Sequence, residues 1–525
     1  MLRITLKLPD GTPDALRFSI ALRLGVEADA FTLFPRKRSI DAREKPVYVW
    51  TADLDFASEK LEKALLKKHG KLLSPAPAET PYVFPAVKHI PSRRPIVVGF
   101  GPAGIFCALM LARSGLKPIV LERGGSMEER VAKVDAFFEH GILDEATNLQ
   151  FGEGGAGAFS DGKLNTLVKD KSFRGYYILE QFVKAGAPEE ILWLNKPHIG
   201  TDLLRNVITN LRNEIVSLGG EVHFGEQVVS LLHENGAVAG VRTRHGEVIR
   251  SDTVVLAIGH SARDTFRMLH ETDIAMEKKP FSVGVRIEHP QSLIDKSQYG
   301  NAAGFPPADY KLVCHTSAGR VVYTFCMCPG GIVVAAASDK DGVVTNGMSY
   351  HARDGVNANS ALLCEIHPED VPGGLFSGME FQVALEQLAF RIGGGAHRAP
   401  AQTVGDFLNG VPSHAFGSVV PTYTRGAVPS DLREVLPDYV CDALAEALPY
   451  FGKKIRGFDA PDAVMTAVES RSTSPVRIVR NDLMQSCSLR GLYPIGEGAG
   501  YAGGIISAAI DGLKCAEVIV GEGRA

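Results

Sequence analysis

Cysteine is scarce in this chain, with eight among 525 residues. That is too few for a disulfide framework to stand in for a hydrophobic core, and it makes a reducing, cytoplasmic compartment the expectation. No second cysteine pair stands at regular spacing from Cys326 and Cys328, so no metal site is expected. Long apolar runs are also missing. Nothing approaches the roughly 18 residues of a membrane span, and Met1-Leu2-Arg3-Ile4-Thr5-Leu6 lacks the apolar centre of a secretory signal. Neither sign of charge dominates. With 56 basic and 60 acidic residues the formal net charge is −4, which excludes a global field drawing the chain to nucleic acid or membrane. Apolar residues make up 45% and charged residues 22%, as in ordinary globular proteins, and the length predicts several domains.

What the chain does have is glycine in informative places. Ile96-Val97-Val98 precedes Gly99-Phe100-Gly101-Pro102-Ala103-Gly104, and a helix of small and apolar residues follows. This reads as strand, tight turn and helix. Gly99 allows the turn, Gly101 lets backbone approach a pyrophosphate, and Gly104 lets helix and strand pack closely. The helix N-terminus offers its free N–H groups to phosphate. A second strand ends at Glu122-Arg123, about 20 residues on, where an acid that binds ribose belongs. A dinucleotide site is therefore expected here.

A second run, Phe151 to Thr166, holds Gly154, Gly155, Ser160, Gly162, Lys163 and Leu164. So many small residues suit backbone lying directly on a ligand, and Lys163 is placed to meet phosphate or developing negative charge. Thr201 is the expected N-cap of a helix over 202–218. Val228 falls in a strand, and a buried strand over 252–260 ends at Gly259. Near the C-terminus, Gly496-Glu497 ends another strand, and Gly503-Gly504-Ile505 opens a small-residue helix. Glu497 can accept from a ribityl hydroxyl, and the helix N-terminus can favour negative charge on a flavin ring.

Residues 1–90 read as a small α+β module. Arg36 to Arg43 is a basic segment there, taken as a surface loop with nucleic-acid contact as the less favoured reading. A Pro-rich linker follows over 74–81. Val321 to Ala337 reads as a hairpin with Cys326-x-Cys328 at its bend. These thiols serve either redox or nucleophilic chemistry, or simply as small apolar residues at a turn. A helix is expected over 432–448.

Together these motifs resemble FAD-dependent oxidoreductases of the glutathione-reductase-like superfamily. More closely they are similar to the poorly characterised bacterial FAD-dependent dehydrogenase, or NAD(P)/FAD-dependent oxidoreductase, family. Tyr323 to Gly331, Asn357 to Ala361 and Glu469 to Arg477 also carry that resemblance. It implies an α/β protein whose Rossmann-like FAD domain, with a parallel central sheet, is built from residues 91–265 and 471–525. A mixed α/β substrate domain over 266–470 would be inserted between them. It implies FAD chemistry, with hydride passing between flavin N5 and an organic substrate, but no catalytic residue; Lys163, Cys326 and Cys328 are candidate catalytic groups from their residue types alone. NAD(P)H could act as a transient reductant, although no convincing second GxGxxG marks a dedicated NAD(P)H domain. The alternative is an RNA- or protein-binding flavoprotein in which FAD is structural or senses redox state.

Overall fold

A computed structural model describes residues 1–78, 81–166 and 168–521. Glu79 and Thr80 of the expected linker, and the last residues of the expected C-terminal segment, lie outside the described residues.

Strands Ile96–Val98, Ile119–Glu122, Glu221–Phe224, Val254–Leu256 and Leu492–Pro494 form a five-stranded parallel sheet with Ile96–Val98 at its centre. Such strands are apolar throughout because both faces are covered. Val97, Val120 and Val255 pack with helix Pro102–Arg113. The alternate residues Ile96, Val98 and Leu256 pack instead against Val228, Leu231, Val238 and Val241. Those four belong to a three-stranded antiparallel layer of Val228–Glu234, Ala237–Thr243 and Val248–Arg250. Helix Ile505–Gly521 lies against Pro102–Arg113 so closely that a side chain at Gly512 would run into the Ala103 carbonyl.

A seven-stranded sheet takes all its strands from between Phe281 and Glu469. Phe281–Pro290, Asn357–Ile366 and Val464–Glu469 sit in its middle, and helix Asp438–Gly452 shares their apolar core. A ribbon of Ile332–Ala335 and Thr345–Met348 joins this core to the nucleotide-motif core. Val333 and Ala335 belong to the first and Val334 and Ala336 to the second, as the twofold alternation of a strand allows. The N-terminal residues form a four-stranded antiparallel sheet, Thr32–Asp41, Val47–Asp55, Leu2–Leu8 and Leu73–Pro75, around fully buried Trp50. Among the described residues no helix is long and apolar enough to cross a membrane.

Several expectations needed correction. Most of the basic segment, residues 36–41, is not a loop but lies within strand Thr32–Asp41. Three of its four cations are engaged locally: Arg36 pairs with Asp53, Arg43 with Asp41, and Arg38 donates to the Gly11 carbonyl at 2.7 Å. Val321–Cys328 does not turn back as a hairpin with Ile332–Ala335. It pairs with Val313–His315 and Asn357–Ile366, because Pro329 and Gly330, with φ of 49°, carry the chain out of the sheet. The helix expected over 432–448 begins at Asp438, since Pro437 separates it from a short 3-10 turn at Leu432–Glu434. Gly200, not Thr201, caps helix Thr201–Ser217.

Candidate functional site

The glycine-rich segments, far apart in sequence, meet at the C-terminal edge of the parallel sheet. Gly99 has a φ of 97°, and Gly101 is the extended N-cap of helix Pro102–Arg113, with Pro102 in its first turn. A side chain at Gly104 would overlap the Gly99 carbonyl oxygen and stand 3.1 Å from its carbon, so helix and strand touch through bare backbone. Gly155 lies on Gly101, with a built Cβ only 3.0 Å from the Gly101 Cα. Gly157 faces Pro102 and Ile505, the first residue of the C-terminal helix. A built Cβ at Gly496 would stand 2.8 Å from that of Ala103, and Gly498 abuts Gly259.

Two kinds of glycine can be told apart here. Gly104, Gly154 and Gly496 are pressed against protein atoms. Gly259 and Gly503 face open space, with nothing within 4 Å of a built Cβ, and Gly504 meets only the Ser507 hydroxyl at 3.9 Å. This bare, open backbone beside two helix N-termini is the cradle a flat dinucleotide cofactor needs. His260 Nδ1 lies 3.4 Å from Glu497 Oε1, and its Nε2 is a buried atom with no hydrogen-bond partner. The residues present fit FAD.

Glu122 is buried and accepts three backbone N–H groups, from Phe100 at 2.8 Å and from Gly124 and Gly152 at 2.9 Å. A carboxylate has about four acceptor sites, so this acid ties the motif turn to the second glycine run and keeps one site for a hydroxyl. Arg123 turns away to Asp264 and Thr265 and covers the Phe151 ring. Val228 is buried in the antiparallel layer. Ser160 donates to the Gly157 carbonyl and accepts from Gly162 N–H. Leu164 is buried, and its N–H donates to the Pro197 carbonyl.

Lys163, Cys326 and Cys328 come together, although 163 residues separate the first two in sequence. The Lys163 ammonium donates to the Met327 carbonyl, between the two cysteines, and to Asp161 at 2.8 Å. Burial opposes the charge on Lys163, yet Asp161 outweighs it and the pKa stays above the ordinary lysine value. Asp161 is itself buried, which disfavours its charge, but Lys163 and Arg353 hold its carboxyl well below the usual range. On the far side Arg286, fully buried, donates to the Cys326 carbonyl at 2.9 Å and pairs with Glu469 at 2.7 Å.

Some residues that build this site escaped sequence reading. Arg130 is fully buried and donates to four carbonyls, those of Glu153 and Gly155 in the second glycine run and of Asn148 and Leu149 just before it. Burial lowers its pKa to about 9. The signal was available: Met127, Arg130, Val134 and Phe137 share the buried helix face, so one charge occupies a core position. Asp511 accepts the Gly496 N–H at 2.7 Å and is held by Arg480. Thr201 donates to the Ala158 carbonyl. No local pattern marks these last two.

Over 498 residues the chain is 49% identical to an uncharacterised protein of Clostridium beijerinckii, spanning 92% of this chain and 91% of that one. The chain belongs to that protein's family. Residues 280–472 of this family member match the model described as "FAD-dependent protein, C-terminal domain-like". A 4,4'-diapophytoene desaturase (4,4'-diapolycopene-forming) of Methylomonas sp is 36% identical over 53 residues, 10% of each chain. Among solved structures, the flavin-dependent brominase Bmp2 is similar with a TM-score of 0.38 and 12% identity, over 82% of this chain and 79% of that one. L-proline dehydrogenase from P. horikoshii gives a TM-score of 0.33 and 15% identity, over 82% and 94% of the two chains. The domain match supports FAD as cofactor. Nothing in these comparisons supports a nicotinamide reductant.

Proposed function

We propose that this protein is a FAD-dependent dehydrogenase of a small organic substrate, of glutathione-reductase-like type. The observation that carries the reading is the convergence of three distant glycine segments into one open backbone cradle, with two helix N-termini facing it. In this reading Gly101, Pro102, Ala103 and the N-terminus of their helix hold the pyrophosphate. Glu122 offers its remaining acceptor site to a ribose hydroxyl. Glu497 accepts from the ribityl chain, with His260 orienting it. Gly503, Gly504 and Ile505 bring the positive end of a helix dipole to the ring. Gly154, Gly155, Ser160, Gly162 and Leu164 line the opposite wall, and Arg130 fixes that wall from behind. FAD, when bound, supplies two-electron chemistry. Lys163 holds positive charge near the substrate side while staying anchored to Asp161. The seven-stranded sheet and its ribbon shield the site from water and supply the substrate surface. The alternative of an RNA- or protein-binding flavoprotein rests on the basic segment Arg36 to Arg43, where Arg36, Arg38 and Arg43 have partners within the N-terminal module.

The test is the spectrum of the purified protein, followed by anaerobic titration with NADH and then NADPH. An oxidised-flavin spectrum with FAD released on denaturation is expected. Protein without flavin that also fails to take up FAD overturns the reading. Bleaching by either nicotinamide identifies a donor, while a flavin inert to both directs the search to a substrate that reduces it directly.

A further inference from the structure

Cys326 and Cys328 sit at an irregular place in an otherwise regular strand. Phe325 faces Ala361 and Cys328 faces Asn359, so two residues intervene on this strand and one on its partner. That is a β-bulge, and such bulges re-aim side chains. Cys326 there has a φ of 45°, which a residue with a side chain seldom adopts and keeps only when its surroundings impose it. The surroundings are two cations on the bulge's own carbonyls, Lys163 on Met327 and Arg286 on Cys326. The Cys328 thiol donates to the Cys326 carbonyl at 3.3 Å, and the two thiols influence each other's titration.

The two thiols differ as an attacking and a resolving cysteine should. Cys326 is partly exposed, and Cys328 is fully buried behind it. A hydrogen bond from Cys328, then the charges of Lys163 and Arg286, lower the Cys326 pKa against the effect of burial, while Cys328 is raised. Elsewhere burial does the reverse, pushing Cys364 up to about 11 and Cys441 up to about 12. A thiolate in an electropositive, partly open setting is the reactive form of cysteine.

We propose that Cys326 and Cys328 form a dithiol–disulfide couple that exchanges with disulfide substrates, Cys326 attacking and Cys328 resolving. The Cys326 thiolate attacks one sulfur of a disulfide RSSR, forming a mixed Cys326–S–S–R bond and releasing RS⁻. Cys328 then attacks the Cys326 sulfur, expelling the second RS⁻, and the Cys328 proton passes to a leaving thiolate. Two protein sulfurs are oxidised to one disulfide, and the external disulfide is reduced to RS⁻ and RSH. The exchange needs no flavin, so it goes beyond the dehydrogenase reading and does not rest on it.

The experiment uses the full-length protein as purified. It is reduced, exposed to oxidised glutathione, acid-quenched, alkylated and mapped by mass spectrometry, while bound flavin is read by absorbance in the same sample. Two alkylation sites should be lost, both in the peptide carrying Cys326 and Cys328, with that peptide lighter by two hydrogens. Cys328→Ser should trap glutathione on Cys326, and Cys326→Ser should lower adduct formation at this peptide at least tenfold. Wild-type protein in which both thiols stay as alkylatable as in the reduced control overturns the proposal. So does a stable glutathione adduct on Cys326 that never closes onto Cys328. Both outcomes are read on the wild type, so they hold even if a variant fails to fold, and loss of flavin alone leaves them unchanged.

Discussion

Gly101 and Gly104 stand three residues apart in one turn, and the structure predicts opposite behaviour for them. At Gly101, φ is −80° and a built Cβ meets only the Gly155 Cα, at 3.7 Å, an ordinary van der Waals distance. Gly101→Ala should therefore fold with unchanged thermal stability. Its methyl group, however, occupies the approach of the pyrophosphate. Losing one charge-assisted hydrogen bond from the helix N-terminus costs about 1.5–3 kcal/mol, which weakens FAD binding roughly 10- to 150-fold. At Gly104 the methyl would overlap the Gly99 carbonyl, and Ala257 Cβ closes the other side at 3.4 Å. The helix must then lift from the sheet, a strain of about 1–3 kcal/mol that appears in stability as well as affinity. The assays are FAD titration by fluorescence quenching and thermal unfolding of the flavin-free proteins. Wild-type affinity in Gly101→Ala would refute the path of the phosphates over residue 101. Equal loss of stability in both variants would refute the packing difference from which the prediction was worked.

Arg130→Met should destabilise the protein by at least ~3 kcal/mol, because four buried carbonyls lose their donor. Urea unfolding measures this, and a change below ~0.5 kcal/mol counts against the role of Arg130. Glu386 joins Arg263 and Arg471 in a buried network, so Glu386→Gln should cost about 3–5 kcal/mol at neutral pH. Those arginines hold the Glu386 carboxyl far below its ordinary value. Its stabilisation is therefore present above about pH 4.3 and lost as pH falls further, and the variant should show a shallower acid limb by about 1.4 kcal/mol per pH unit. Burial lowers both His198 and His289 to about 4. Unfolded histidine takes its proton near 6.5, so each residue withdraws up to about 3 kcal/mol of stability as pH falls from there to about 4. A urea midpoint that does not move between about pH 7.5 and 5 would contradict this, and His289→Gln should reduce the shift.

The parts of this fold legible in sequence were those where one local pattern answers to one local constraint. Ile96-Val97-Val98 followed by the glycine turn could hardly be anything but a buried parallel strand entering a helix. The C-terminal strand, glycine turn and small-residue helix opening at Gly503-Gly504-Ile505 were equally plain. Failures came where tertiary pairing decided the outcome. Val321 to Ala337 has the look of a hairpin, but its two halves found different partners, Asn357–Ile366 for the first and Thr345–Met348 for the second. The basic stretch at Arg36 looked like a solvated loop because local charge hides a strand whose partners are Val47–Asp55 and, at Arg38, Leu194. For the candidate site, glycines announce themselves, whereas polar supports such as Asp511 and Thr201 act through backbone atoms contributed by distant segments. The meeting of Lys163 with the cysteine bulge is of the same kind. The residue types suggested chemistry, but only folding could show that they are neighbours.

The parallel sheet has a consequence for how the protein is made. Strand Leu492–Pro494 pairs with Val254–Leu256, yet the entire seven-stranded sheet lies between them in the chain. During synthesis the edge of Val254–Leu256 stays unpaired while all of that sheet emerges. The helix that closes against Pro102–Arg113 emerges later still. Unpaired edges are points of mispairing, and distant pairings form slowly. Cofactor loading must therefore wait for nearly the whole polypeptide. A ribosome-stalled or truncated product ending before Leu492 would carry the complete GxGxxG motif and still lack half of its cradle.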